Sequence, residues 1–113
     1  MALKRMLLEI GMGNDLHGGD YTKAAIRAIQ DAVHHSSMSM VRSLGVDRDQ
    51  VHVDVTVGVQ KPDAVDIGKV KETLPFGVVT VKAVPGGLDV PDREADDIAV
   101  IATAAIVVRI DLP

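Results

Sequence analysis

A chain of 113 residues with 47% apolar side chains has the length of one domain and enough material for a buried core, which excludes a two-domain arrangement. With one Tyr, one Phe and no Trp, that core must be built from Val, Ile, Leu, Ala and Met. Sixteen acidic against twelve basic side chains give a formal charge of −4, with no basic run and no aromatic platform for stacking bases, so nucleic acid is not an expected partner.

Residues 3–12 alternate, with Met6, Leu8, Ile10 and Met12 on one parity and Arg5 and Glu9 on the other. This is the pattern of a half-buried strand, expected to turn its apolar parity inward and to stop at Gly11 and Gly13. After a glycine-rich loop, Ala25, Ile29, Ala32 and Val33 recur at three- and four-residue spacing with no Gly or Pro between them, which predicts a helix. Asp20 is suited to cap its start. His34 and His35 lie near its end, where a cation faces the carbonyl dipoles. Ala24, Ala25, Ala28 and Ala32 keep the helix thin enough to approach a sheet closely. Val51, Val53, Val55, Val57 and Val59 then alternate with His52, Asp54 and Thr56, a strand whose register is fixed by its apolar face. Residues 62–74 read as a short helix with Val65, Val70 and Leu74 inward and Gly68 weakening it, and residues 78–84 as a third strand. Residues 85–97 carry turn chemistry throughout. A long last strand follows, in which Ile98, Val100, Ala102, Ala104, Ile106, Val108, Ile110 and Leu112 keep one parity.

The order β-α-β-α-β-β implies a single α+β domain over residues 1–113. Its expected form is a two-layer sandwich with two helices on one face of a four-stranded mixed sheet. The other face would present Arg5, Glu9, His52, Asp54, Thr56, Thr80, Thr103, Arg109 and Asp111 around an apolar middle at Ala105 and Val107. Both parities of the last strand are apolar around residues 104–108, and a strand apolar on both faces needs cover on both. A second copy is the simplest cover, so a homo-oligomer of three or more chains is expected; a monomer with a solvated polar face is the alternative. The absence of cysteine removes disulfides, thiolate catalysis and Cys-ligated zinc, and permits the cytosol. No apolar run reaches the roughly 18 residues of a spanning helix and no signal-peptide core is evident, so the expected location is cytoplasmic, away from membranes.

The stretch GMGNDLHGGDYTK, residues 11–23, concentrates glycines, acids, an amide, an imidazole and an amine between a strand end and a helix start. Its glycine spacing is neither a dinucleotide fingerprint nor a P-loop, and Asp15 and Asp20 would repel a phosphate. The same groups suit acid–base work on a small polar metabolite. His17 or Asp15 would serve as base, Lys23 would hold developing negative charge, and Asn14 and Asp20 would bind the ligand. Backbone amides of Gly86 and Gly87, in a second glycine turn leaving strand three, could join them if both loops leave the same end of the sheet. Carboxylates with a single His are a poor metal set, so no metal and no cofactor is expected. In the alternative reading Asp20 caps the helix, Asn14 and Asp15 make turns, and His17 is a solvated loop residue. His34 and Ser37 could meet across one helical turn, but a polar helix end accounts for them, and Met38 and Met40 read as gap fillers. Lys69, Lys71 and Lys82 read as solvated charges.

Through GMGNDLHGGDYTKAAIRAIQDAVHHSS, VGVQKPDAVD, LPFG and the PGG turn, the chain resembles the Lin family of bacterial conserved hypothetical proteins over nearly its whole length. That resemblance implies no particular reaction. A weaker similarity is to one domain of the ring-opening amidases, cyanuric acid hydrolase and barbiturase. Gly19-Asp20-Tyr21-Thr22-Lys23 and Pro85-Gly86-Gly87 resemble two of their motifs, but Pro85 stands where their serine would be and Gly11 or a neighbour where their lysine would be. Without the hydroxyl and the amine that mechanism does not run. Three functions therefore stand after the sequence. The first is a homo-oligomer binding or transforming a small polar metabolite at a subunit-interface pocket, the second a non-catalytic assembly or binding protein, and the third an amidase-related hydrolase. Whether the chain is an enzyme is not written in it.

Overall fold

In the computed structural model, residues 2–34, 45, 47–74 and 77–112 are described. The elements run β1 (Ala2–Asp15), α1 (Tyr21–His34), a 3-10 turn (Arg48–Gln50), β2 (Val51–Val59) and a second 3-10 turn (Pro62–Ala64). They continue with α2 (Ile67–Glu72), β3 (Val78–Pro85), β4 (Leu88–Asp92) and β5 (Asp97–Leu112). One mixed sheet in the order β1-β5-β2-β3 carries both helices, so the α+β class read from the sequence holds. The sheet has five strands rather than four, because β4 forms a hairpin with β5 over Leu88↔Ile101 to Asp92↔Asp97. The predicted helix over residues 62–74 is also two pieces, a 3-10 turn and then six helical residues capped by Asp66, whose side chain accepts the Lys69 N–H.

β5 is the middle of the sheet. It is antiparallel to β1 on one side, and on the other to β4 up to Ile101 and to β2 from Thr103 onward. Hydrogen-bonded along both edges, it buries its even parity, Val100 to Ile110, under the helices, while Ile101, Ala105 and Val107 of the odd parity lie half-buried on the opposite face and Thr103 is exposed there. β2 and β3 pair in parallel, joined by α2, so β1, β2 and β3 all end at the same edge of the sheet.

The core lies between the sheet and the helices. Val51, Val53, Val55, Val57 and Val59 are at most 2% exposed, each contributing about 1.5–3 kcal/mol of burial, and Val100 to Ile110 on the even parity of β5 meet them from the next strand. β1 departs from expectation here. A register shift between Arg5 and Leu7 sets the strand so that Leu7, Gly11, Gly13 and Asp15 pair with the inward residues of β5. Glu9 therefore lies on the helix-facing parity, half-buried, while Leu8, Ile10 and Met12 point to the other face. The reason is α1. Its buried alanines sit directly on the backbone of β1, and a Cβ on Gly11 or Gly13 would lie 2.3 Å from the Ala28 carbonyl oxygen or 2.2 Å from the Ala28 nitrogen. Strand and helix are in contact where the sequence suggested a strand end, and β1 runs through both glycines to Asp15.

The free edge of β1 is closed at this end. Asp31 Oδ2 accepts the Met12 N–H at 2.9 Å, and Arg27 donates to the Asn14 carbonyl at 2.8 Å, occupying groups that another strand would need. No helix among the described residues is long and apolar enough to cross a membrane.

Candidate functional site

The loop between β1 and α1 is tied by carboxylates. Asp15 is 4% exposed; its Oδ2 accepts the Asp20 N–H at 2.9 Å, and its Oδ1 lies 3.7 Å from Lys23 Nζ and 3.8 Å from Arg27. Asp20 caps the helix, Oδ1 accepting the Lys23 N–H at 3.0 Å. Gly18 and Gly19, at φ 92° and 63°, turn the chain through left-handed backbone, and Gly19 leaves no room for a Cβ against Ile98. His17 stands apart from Asp15 and Lys23. Its Nδ1 is 3.1 Å from Asp97 Oδ2, while Asp97 Oδ1 accepts the N–H groups of Gly18 at 3.0 Å and Ile98 at 2.8 Å. The Gly18 amide, then those of Ile98 and the His17 ring, hold the Asp97 carboxyl below the usual carboxylate range. With Nδ1–H donated to Asp97, the Nε2 lone pair of the exposed imidazole faces solvent.

The second glycine turn leaves the same edge of the sheet but not the same place. The Gly86 N–H donates to the Val59 carbonyl, and Gln60 Nε2 donates to the Gly86 and Gly87 carbonyls at 3.0 and 3.1 Å. Gly87, at φ 61°, packs so tightly on the Ile101 carbonyl that a Cβ would fall 2.1 Å from its oxygen. The first loop rests on Asp97 and Ile98 and the second on Ile101, three to four residues along β5. Asp15, Lys23 and Asp20 are thus brought together, His17 is joined to Asp97 instead, Asn14 serves through its carbonyl, and Gly86 and Gly87 belong to another neighbourhood. No group of three or more metal-ligating side chains occurs among the described residues. His35, Ser37, Met38 and Met40, and with them the His34–Ser37 pairing, lie outside the described residues.

Two partners escaped the sequence reading. Asp97 sits in a polar turn of many acids, and only its place just before an apolar run distinguishes it. Asp89 is the other: its Oδ2 accepts a short hydrogen bond from the Tyr21 hydroxyl, clamping β4 to the start of α1, while its buried Oδ1 has no partner among the described residues. Burial first, and then this bond and the charge of Asp89, raise the Tyr21 pKa to about 12. A folded pKa above the unfolded value of 10.0 favours the neutral phenol. The stability this contributes is complete below pH 10 and lost as the pH rises toward 12. Tyr21 is the only tyrosine and there is no tryptophan, so phenolate absorbance reports this group alone. A half-ionisation near pH 12 in the native protein, returning to near 10 in denaturant, is the expected titration.

The sheet face away from the helices is the other candidate. His52, Asp54, Thr56, Thr80, Thr103 and Arg109 do lie on it, as their parity foretold. Arg109 pairs closely with Asp54 Oδ2, and Thr80 Oγ1 donates to Asp54 Oδ1 at 2.7 Å. Toward β1 the face becomes apolar: Leu8, Ile10 and Met12 are 50%, 72% and 61% exposed, and Leu88 and Val90 on β4 are also exposed. Between β1 and the end of β3 lies a cleft of about 560 Å³ with a largely apolar lining that includes Ile10, Met12, Gly58, Gly86, Thr103 and Ala105.

A family model described as a conserved hypothetical protein, Lin0512, matches residues 5–108. The chain is also similar to a solved structure, an FtsZ-like protein of unknown function from Nostoc punctiforme. The identity is 36%, the TM-score 0.86, and 99% of each chain is covered. No curated protein matches it.

Proposed function

The chain belongs to the Lin0512 family of conserved hypothetical proteins, and we propose that it is a homo-oligomeric binding module whose open sheet face is the contact between copies. The observation that carries this reading is the row Leu8, Ile10 and Met12, three large apolar side chains at least half exposed on one contiguous face. Edge-to-edge assembly through β1 is obstructed at Met12 and Asn14, whose backbone groups Asp31 and Arg27 occupy. At about 3.3 Å per residue and 4.8 Å between strands, the face across four strands measures roughly 30 Å by 15 Å. That projected area of about 450 Å², before the relief of the side chains is added, is over half of the ~800 Å² per partner of a standard interface. A second copy presents the same row, so a two-fold contact sets apolar against apolar, with the charged Asp54–Arg109 end at the rim. We assign it to the cytosol, in keeping with a chain free of cysteine.

Sedimentation equilibrium tests this reading. A mass of two or more protomers is expected for the parent chain, and a monomer overturns it. Leu8→Lys places a charge in the row, and losing even one buried Leu is worth ~1.5 kcal/mol or more. Self-association should therefore weaken at least about tenfold, with far-UV circular dichroism unchanged.

A second reading rests on His17. An exposed imidazole oriented by a carboxylate that two backbone amides hold ionised is the arrangement of a general base. In it, Nε2 takes a proton from a small polar metabolite bound at the loop beside Asp97. A thermal-shift screen of such metabolites in which His17→Ala and Asp97→Asn abolish the same response supports it; no response from the parent chain removes it.

A further inference from the structure

Two sheets packed face to face stand about 10 Å apart, and each must fill roughly half of the gap with side chains. Along β1 the open face does so with Leu8, Ile10 and Met12. One or two strands away it does not, because the corresponding positions are Gly58, Thr103 and Ala105. Gly58 is closely flanked. A Cβ there would lie 2.8 Å from Thr103 Oγ1 and 3.3 Å from Gly86 Cα, so the chain passes close to itself and the floor of the cleft is backbone. The Gly86 wall is held in place by the Val59 carbonyl and the Gln60 amide, which makes the depression a fixed feature rather than a fluctuation.

We propose that this cleft is a binding site for a small neutral molecule with an apolar body and one hydrogen-bond acceptor. Its volume of about 560 Å³ is in the range of ligand pockets, and its lining is mostly apolar. The polar groups it offers on the sheet are the hydroxyls of Thr56 and Thr103, which have no hydrogen-bond partner among the described residues. Each can donate to an acceptor on the ligand. Asp31 also lines the cleft, with its Oδ2 taken up by the Met12 N–H. The enclosing of the site rests on the assembly reading, since a second copy laid on the open face roofs the cleft; the floor and walls belong to one chain.

The test uses Prodan, a neutral naphthalene carrying one ketone, whose emission shifts to the blue in apolar surroundings. Saturable binding of one probe per chain is expected. Ala105→Phe, which fills the floor from a half-buried position on the open face, should weaken it at least about tenfold, and Thr103→Val should weaken it about threefold to tenfold by removing one hydrogen bond. Sedimentation mass is read on the same samples. Binding unaffected by Ala105→Phe and Thr103→Val overturns the site. Binding absent from the parent but present in the dissociated Leu8→Lys chain shows that the second copy fills the cleft, and overturns it too. An oligomer that binds no probe in either form overturns the site while leaving the assembly standing, whereas a monomeric parent that binds overturns the assembly and keeps the site.

Discussion

Gly13→Ala should cost about 3 kcal/mol or more, measured as a fall in the urea midpoint at unchanged slope. The added methyl would lie 2.2 Å from the Ala28 nitrogen and 2.5 Å from the Arg27 carbonyl carbon, and backbone cannot rotate out of the way as a side chain would. Relief requires α1 to lift from β1, which uncovers Ala24, Ala28 and Ile29 together. Gly11→Ala should behave alike, being as close to the Ala28 carbonyl. Gly68→Ala is the contrast. It lies inside α2, its Cβ would reach only the Asp66 side chain at 3.4 Å, and it should be neutral to about 1 kcal/mol stabilising through the entropy of the unfolded chain. Equal losses at both sites would mean that α1 does not rest on the β1 backbone.

Asp15→Ala should be the largest single side-chain loss in the loop, about 1–3 kcal/mol, seen as a melting temperature lower by roughly 4–8 °C per kcal/mol. Its carboxylate is buried, and removing it leaves the Asp20 N–H without its acceptor just where the chain enters α1. The loss stays below the 3–5 kcal/mol of a wholly buried pair, because Lys23 and Arg27 are about half exposed and turn to water. Asp15→Asn keeps an acceptor for the amide and should cost less. A carboxylate kept for chemistry at the expense of stability would show the opposite sign, with its removal leaving the fold unchanged or firmer. The melting temperature thus separates a tie from a reacting group at the same residue.

What could be read from the residues followed from how many neighbours each strand has. β2 is legible because its valines face helices while His52, Asp54 and Thr56 face outward, so period and burial agree. β5 is legible as a long strand with apolar residues on both parities, of which the even one is buried under the helices and the odd one lies half-buried at Ile101, Ala105 and Val107 on the open face. β1 misleads because apolar alternation normally points inward, whereas here α1 comes so close that only glycine fits beneath it. The large residues are displaced to the open face, and a helix built of alanine opposite G-x-G was the available signal. β4 is hidden because Pro85-Gly86-Gly87 precedes it and Pro91-Asp92 lies inside it, turn residues that here belong to or adjoin a five-residue edge strand. The loop residues were recognised as unusual, and the cap at Asp20 followed from its position. Their partners Asp97 and Asp89 lie more than sixty residues away and depend on the β4–β5 hairpin, which local spacing does not reveal.

The middle strand of this sheet is also the last in chain order. As the polypeptide leaves the ribosome, β1, β2 and β3 all emerge before the segment that must lie between the first two of them. Until β5 arrives β1 has no strand to pair with, and the valine-rich β2 has only β3. Contacts of such long sequence separation form slowly. Nascent chains of this protein should therefore expose an unpaired, apolar strand until β5 is made, which makes them natural clients for holding chaperones and prone to aggregate when translation stalls before β5.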